Sequence, residues 1–533
     1  MPGVRFGAGL SFGKAPHMLR RSLFMSFLCA FAIGSSAQLT LLDPTFGNGG
    51  MVLQGLSGFG GDNANDVAIQ PDGRIVVVGN RGGVQESLAV VRLLDNGALD
   101  PGFSGNGVAT VDIGVNAEGR AVVVQPDGSI TVGGDAEFPG GGFDDVAFVR
   151  FTSAGELDPT FSGDGIFTYL QPGASDAVLA VALQPDGRIL AAGKFDGIVS
   201  DMMALRLGTD GELDHTFADN GIFNTGLHTG ELAEDVVLRS DGRVVLGGAW
   251  RLTLPDADMA VLQLDESGAA DPTFGTAGLF RPSEEISTSA VVSAVELDNG
   301  DLLIVGKRFL PGGNPEEVFT GRILSNGTWD TGYGSAGRSF LALGSGYTGA
   351  VRDMLLLPSG KALVTVDVLD VGATEAIMVM RVLPDGGLDP AFGNAGRVLM
   401  PCPGTGCNVR SLALDAQGRA VAVGSYGTID GPEIMVMRWL AEASTIGQAE
   451  ADTRETFHVF PVPASDVLQL DVPAEWLTDA RLELTDPCGR LVAVFKNTMA
   501  RRIELPSSLA DGRYVLRLVS PSHVLTAAVM VQR

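Results

Sequence analysis

The chain repeats itself seven times, and nothing else in it constrains the fold as tightly. Leu42-Asp43-Pro44-Thr45-Phe46 returns as Leu99-Asp100-Pro101-Gly102-Phe103, and later copies are led by Asp158, Asp214, Asp271, Asp330 and Asp389. The steps between these aspartates are 57, 58, 56, 57, 59 and 59 residues. Four residues after each aromatic stands a glycine: Gly50, Gly107, Gly165, Gly221, Gly278, Gly337 and Gly396. A period of this length marks units that each bury a face on the next.

A second landmark lies inside every unit. Gln-Pro-Asp-Gly is intact at Gln70–Gly73, Gln125–Gly128 and Gln184–Gly187, and the later units keep its glycine as Gly242, Gly300, Gly360 and Gly418. Pro presets φ, Asp caps the turn, and Gly takes the left-handed conformation, which predicts a type I turn with a bulge. Apolar runs flank it, as in Asp66–Gln70 and Arg74–Gly79, so the expected element is a β-hairpin. A third apolar run at Leu88–Leu94 and a fourth candidate strand at Met51–Leu56, before the hairpin, complete four strands per unit. Seven such units over Leu42–Leu440 predict a seven-bladed β-propeller of about 57 residues per blade, in which neighbours cover each blade's faces. An open β-solenoid competes, but its repeats are normally shorter. The 73 glycines fit this all-β, turn-rich reading and argue against a helical fold.

The Leu-Asp-Pro-Thr-Phe-Gly and Gln-Pro-Asp-Gly-Arg landmarks resemble the delta-60 repeats of large bacterial exported proteins. The resemblance implies a propeller and no established general activity. Thr331-Gly332 in place of Pro-Thr, and Val366 where other units carry Gly, are the main departures.

Both ends read as addresses. Arg20-Arg21, an apolar run from Leu23 to Gly34 and Ser35-Ser36-Ala37-Gln38 have the parts of a secretory signal peptide, residues 1–37, cleaved between Ala37 and Gln38. Met18 suits the start of such a peptide better than Met1. Twelve apolar residues are too few for a membrane span, which needs about 20, so no transmembrane segment is expected. After the ring (38–440) and a polar linker (441–452), residues 453–533 carry an alternating all-β pattern that suggests a small Ig-like β-sandwich. Phe460-Pro461-Val462-Pro463-Ala464, the turn at Gly489, and Gly512-Arg513-Tyr514 before the last strand resemble the type A C-terminal sorting domain of the Bacteroidetes type IX secretion system. That resemblance implies the type IX machinery as a partner and a secreted or outer-surface destination. An ordinary accessory sandwich is the other reading.

Charge narrows the partners. The net charge is -27, and because the first 37 residues hold four Lys and Arg but no acid, the remainder carries -31. Such a chain is unsuited to neutralising phosphates on nucleic acid or to docking on anionic lipid. Three cysteines remain after residue 37, too few for a disulfide scaffold or a multi-Cys metal site. Cys402 and Cys407 bracket a short loop and form a candidate local disulfide; Cys488 is expected buried and unpaired.

No catalytic motif stands out. The histidines show no metal-ligand spacing, and no nucleophile elbow is present. No cofactor is implied. Arg92, Arg150, Arg206, Arg322, Arg381 and Arg438 recur in the third apolar run, with Gln263 in the remaining unit. They could converge on an anion, or each could serve its own blade by pairing with the landmark aspartate. The landmark aspartates are read as turn caps rather than calcium ligands. No repeat-breaking set of polar residues at one mouth of the ring is evident. The expectation is therefore a non-enzymatic binding, adhesion or scaffold module for an extracellular glycan or protein. A propeller-framed polysaccharide lyase, hydrolase or quinone-dependent dehydrogenase is the alternative.

Overall fold

The computed structural model describes residues 41–441, apart from short loop segments, and most strand residues between 458 and 531. Ala37, Gln38, Pro461, Pro463, Cys488, Gly489 and the linker beyond residue 441 lie outside the described residues. No helix occurs among the described residues, and hence none long and apolar enough to cross a membrane.

Seven four-stranded antiparallel sheets make up residues 41–441. The first blade comprises Asn63–Ile69, Ile75–Arg81, Ser87–Leu93 and Val108–Val111, and the next five follow the same order. The first strand of each blade packs against the first strand of the next, and Cys407–Leu414 of the seventh packs against Asn63–Ile69 of the first. These first strands therefore line the axis of a closed ring.

The Gln-Pro-Asp-Gly landmark builds the expected hairpin. Gly73 N–H donates to Gln70 O at 2.9 Å, Gln70 N–H donates to Arg74 O at 2.8 Å, and Gly73 sits at φ +84°. The other landmark closes a wider turn: Gly107 N–H reaches Phe103 O at 2.7 Å with φ +88°. A Cβ there would meet Leu99 Cβ at 2.9 Å, so glycine is required both for conformation and for space.

The fourth candidate strand requires a correction in its assignment. Met51–Gln54 is a strand, but it pairs with Gly431–Trp439 of the last repeat, not with the hairpin that follows it. Likewise Val108–Val111 joins the sheet of the preceding hairpin. Each blade is thus the hairpin and third strand of one repeat plus the first strand of the next. The seventh blade takes its fourth strand from the start of the ring, which joins the two ends of the domain.

Apolar cores lie between neighbouring blades. Val76, Val78, Val90 and Phe103 pack with Val122, Ile130, Val132 and Phe151, for example, and equivalent clusters recur around the ring. Both faces of each second and third strand are buried, as for Ser87–Leu93, which explains their unbroken apolar runs.

The C-terminal strands form two sheets. Val467–Asp471 pairs with His458–Phe460 and Arg502–Glu504; Arg481–Thr485 lies between Leu491–Lys496 and Gly512–Val519, and Val524–Val531 is the outer strand. Leu468 and Ile503 of one sheet share a core with Leu482, Leu484, Leu516 and Val529 of the other. Phe460 ends the first of these strands, and Gly512 and Tyr514 begin the sixth.

Candidate functional site

The arginine column lies on the third strands, away from the axis. Arg92 Nε donates to Asp100 Oδ2 at 2.8 Å, Arg150 to Asp158 at 2.7 Å, Arg206 to Asp214 at 2.8 Å, Arg381 to Asp389 at 2.9 Å and Arg438 to Asp43 at 2.9 Å; Arg322 bonds Asp330. Each guanidinium also covers the landmark ring, as Arg92 covers Phe103 at 4.7 Å and Arg381 covers Phe392 at 4.6 Å. A terminal nitrogen then crosses to the next blade: Arg92 to Ser153 O at 2.6 Å, Arg150 to Thr209 O at 2.6 Å and Arg206 to Glu266 O at 2.9 Å.

The second carboxylate oxygen of each landmark aspartate caps its own turn. Asp43 Oδ1 accepts from Thr45 N–H at 2.9 Å and from Thr45 Oγ1 at 2.6 Å. Burial raises the Asp43 pKa, but Thr45 and Arg438 outweigh it and hold the carboxyl below the usual range; Asp158, Asp214 and Asp389 behave alike with their own partners. The geometry joins blade to blade and leaves these arginines occupied. Cys402 and Cys407 are bonded, with 5.6 Å between their Cα atoms, beside the seventh blade. His215 is exposed, with Nδ1 3.3 Å from Asn220 O.

A different set of polar side chains meets near the axis. Every first strand carries a one-residue bulge, falling between Ala64/Asp66, Gly119/Ala121, Val178/Ala180, Ala233/Asp235, Val291/Ser293, Val351/Asp353 and Val409/Ser411. The partner strand comes so close here that a Cβ on Gly193 would stand 1.9 Å from Ala177 O, and one on Gly424 2.0 Å from Asn408 O. Where Val366 replaces this glycine, the bulge persists, and Gly349 on the facing strand supplies the space: a Cβ there would lie 2.5 Å from Asp367 O. Bulges re-aim side chains. Here the bulged residues are Asn65, Arg120, Leu179, Glu234, Val292, Arg352 and Arg410, followed by Asp66, Ala121, Ala180, Asp235, Ser293, Asp353 and Ser411.

The three aspartates hold first strands together. Asp66 accepts from Val67 N–H at 2.8 Å and from Val122 N–H of the second blade at 2.7 Å, and Ser411 Oγ of the seventh blade donates to it at 2.6 Å. Asp235 links Val236 to Ala294, and Asp353 links Met354 to Leu412, each N–H at 2.7 Å. Burial pushes Asp66 up to about 6 and Asp353 up to about 7, with the Asp235 charge adding to both; Asp235 is itself raised by burial. Among the described residues no group of three or more His, Cys, Asp or Glu is placed to hold a metal ion.

These two sets of aspartates give a signed pH dependence. Asp66 and Asp353 bind protons more tightly folded than unfolded, so the stability they confer is complete below their unfolded value, about 4. It is lost as pH rises through about 6 and about 7. The landmark aspartates contribute above about 4 and lose that contribution as pH falls through their depressed values. Thermal unfolding of the full chain should therefore be latest between about pH 4 and 6, falling by a few degrees by pH 8. In an Asp66→Asn/Asp353→Asn chain the decline toward pH 8 should flatten, although the amides, which cannot accept at both atoms, lower the midpoint throughout.

The bulged residues carry the charge. Arg120 bonds Asp135, and its Nη2 lies 2.8 Å from Glu118. Arg352 Nε donates to Asp367 Oδ2 at 2.6 Å, and Asp367 Oδ1 accepts from Val409 N–H at 3.0 Å. Partial desolvation and the neighbouring Arg352 charge lower the basicity of Arg410, with Arg120 adding to the effect, and all three cations stand on first strands. Burial raises Glu234 against the pull of Lys307 and Arg352. Between the sixth and seventh blades this region opens into a groove of about 380 Å³, lined by Thr348, Arg352, Asp367, Glu375 and Asn408 among others. Depressions on the opposite face are lined by turn residues such as Gln70–Gly73 and Asp186–Arg188, which recur in the repeat.

This set corrects the expectation that no mouth of the ring breaks the repeat. The break lies in the first strands, within otherwise apolar triplets: Asn-Asp-Val at 65–67, Arg-Ala-Val at 120–122, Leu-Ala-Val at 179–181, Glu-Asp-Val at 234–236, Arg-Asp-Met at 352–354 and Arg-Ser-Leu at 410–412. Aligning the seven units on these triplets exposes it.

Two family models match parts of the ring. The family described as "Domain of unknown function (DUF5122) beta-propeller" matches residues 70–103, 125–161 and 184–217, and the WD domain, G-beta repeat, matches 165–200. Each of the first three segments runs from the hairpin turn to the next landmark aromatic. No curated protein matches. Among solved structures, a protein of unknown function from Dyadobacter fermentans is 12% identical, with a TM-score of 0.41, covering 74% of this chain and 99% of its own. The propeller domain of the trilobed protease of Pyrococcus furiosus is 10% identical, with a TM-score of 0.40, covering 72% and 94%. An α-L-arabinofuranosidase of Fusarium graminearum is 10% identical, with a TM-score of 0.38, covering 60% and 92%. The chain thus carries an all-β, seven-bladed propeller, parts of which match the DUF5122 and WD-repeat families.

Proposed function

We propose that this is an exported, non-enzymatic binding propeller that engages an extracellular partner through the ring face carrying Arg120, Arg352 and Arg410. One observation carries the reading: at the bulged positions of the first strands, which line the axis, the repeat departs from itself in charged residues, Arg120, Glu234, Arg352 and Arg410. Those departures are cations and their counterions. The carboxylates beside them, Asp66, Asp235 and Asp353, are each held by backbone N–H groups of two blades, a structural commitment that ill suits an acid–base pair.

In this reading the terminal segments are addresses. Residues 1–37 direct export, and 453–533 act as a type IX sorting domain of Ig-like form, on the resemblance of Phe460-Pro461-Val462-Pro463 and Gly512-Arg513-Tyr514 to that family. The delta-60 resemblance of the ring fits a bacterial surface protein.

The test has two parts. A periplasmic reporter fused to residues 453–533, in a host with the type IX pathway, should reach the surface or medium; retention in the periplasm would remove the sorting assignment. The full chain, incubated with extracellular polymers, should bind without forming product. Turnover of any polymer would replace the binding reading with the enzymatic one.

A further inference from the structure

The groove between the sixth and seventh blades is polarised. At its axial end stands Arg352, and Arg410 lies just beyond the lining, two residues along the strand from Asn408. At its outer end stand Glu375 and Cys407; a Cβ on Gly406 would fall 2.1 Å from Glu375 Oε2, so the Gly406 backbone lies close to that carboxylate. Between them Thr348 and Asn408 offer uncharged donors and acceptors.

The two arginines differ from those of the third strands. Asp367, itself fixed by Val409 N–H, holds Arg352 by Nε alone, so the guanidinium is oriented while its terminal nitrogens make no hydrogen bond within the described residues. Its side chain is 32% exposed. Arg410 is exposed and makes no hydrogen bond or ion pair with the described residues. The Arg352 charge lowers the basicity of Arg410, so an anion seated at these two guanidiniums relieves repulsion. The volume suits one small ring, and the lining is largely half-exposed, so an occupant can continue into solvent on either side.

From this geometry we infer that the groove binds a uronate residue of an acidic polysaccharide, its carboxylate on Arg352 and Arg410 and its hydroxyls toward Asn408, Thr348 and Glu375. A carboxylate matches the planar guanidinium fork, and the hydroxyls match an acceptor such as Glu375, which would repel a second anionic group. This inference rests on the binding reading above and narrows it to one ligand class.

The test uses the full chain and titration calorimetry with oligogalacturonate and oligomannuronate. The controls are their methyl esters, neutral oligosaccharides, sulfate and inorganic phosphate. Uronate oligomers should bind at least tenfold more tightly than their esters, and binding should weaken as salt rises. Arg410→Gln should weaken it about tenfold with the unfolding midpoint unchanged, because that side chain makes no hydrogen bond or ion pair with the described residues. Arg352→Gln should weaken it at least as much, and Arg92→Gln, on a third strand, should leave it within twofold. Equal binding of esters and acids, or an unaltered affinity in both Arg352→Gln and Arg410→Gln, would overturn the uronate assignment. So would sulfate or phosphate competing as well as the oligomers. Capture of neutral glycans or proteins by the same face would sink the uronate alone and leave the binding reading standing; no binding by any polymer would end both.

Discussion

An Arg438→Ala chain should lose about 3–5 kcal/mol of stability, the range for removing one partner of a buried ion pair. Arg438 is 2% exposed, reaches Asp43 through Nε at 2.9 Å and Nη2 at 2.8 Å, and bonds Asp95 O of the first blade. It also covers the Phe46 ring at 4.7 Å, and Phe46 is fully buried. Truncation leaves the buried Asp43 charge with its Thr45 hydrogen bonds and the Arg419 cation 3.6 Å away, and uncovers an aromatic face. The same change at Arg92 breaks the same types of contact within the ring but not across its closure. Arg438 and Asp43 lie 395 residues apart in sequence, so their pair acts on the chain ends. Urea unfolding should therefore place Arg438→Ala below Arg92→Ala, and both well below the parent. An Arg438→Met/Asp43→Asn chain should recover part of the loss, because no charge is then left buried, and the cycle through the single variants should show coupling of at least about 1 kcal/mol. Independent, additive effects would mean that the pair is incidental to closure.

The fourth blade performs a related exchange by itself. Gln263 stands in the arginine column and still donates to Asp271 Oδ2 at 2.7 Å. The guanidinium has moved to Arg239, in the place taken by Gln70, Gln125 and Gln184 in other hairpin turns. Its Nη1 donates to Gln263 Oε1 at 2.6 Å, and it reaches Glu296 and Gly300 O of the fifth blade. The two residue types have traded positions while the link to the next blade is kept. That preservation is why the column is best understood as a joint between blades.

The sequence made some of this legible and hid the rest for identifiable reasons. The hairpin glycines, the landmark aspartates and the number of strands follow from local rules of turn chemistry and alternation. Blade boundaries do not, because a periodic string has the same pattern wherever it is cut. Only pairing of Met51–Gln54 with Gly431–Trp439 decides which strand completes which sheet. The axial residues were hidden by the bulge. Asp66 and Arg120 sit on strands that look like ordinary apolar runs, and the inserted residue sends the following side chain where alternation does not place it. A search of the loops for unusual residues passes over them. Val366 stood out as a departure, but its compensation by Gly349 did not, since it acts across two strands rather than along one.

Removing residues 38–56 should open the ring, with a larger effect than any single substitution. The deletion takes away Met51–Gln54, and with it the pairing of Met51 to Met437, Val52 to Val436, Leu53 to Met435 and Gln54 to Ile434. It also removes the buried Leu41 and Phe46 and the Asp43 partner of Arg438. Gly431–Trp439 then becomes an edge strand nine residues long with Ile434, Met435, Val436 and Met437 newly exposed on or beside it. Such an edge templates pairing with another chain. Light scattering should show dimers and larger species in place of the monomer, and the unfolding transition should broaden as the seventh blade separates from the first. A synthetic peptide of residues 38–56 added in trans should restore the monomer and sharpen the transition, because strand addition supplies the same ladder and the same Asp43 carboxylate. A variant peptide with Asp43→Ala should restore it less well, joining this result to the ion pair at the closure. A shortened chain that stays monomeric and unfolds at the parent's midpoint would show that the ring is held by its inter-blade cores alone, with the seventh blade complete at three strands.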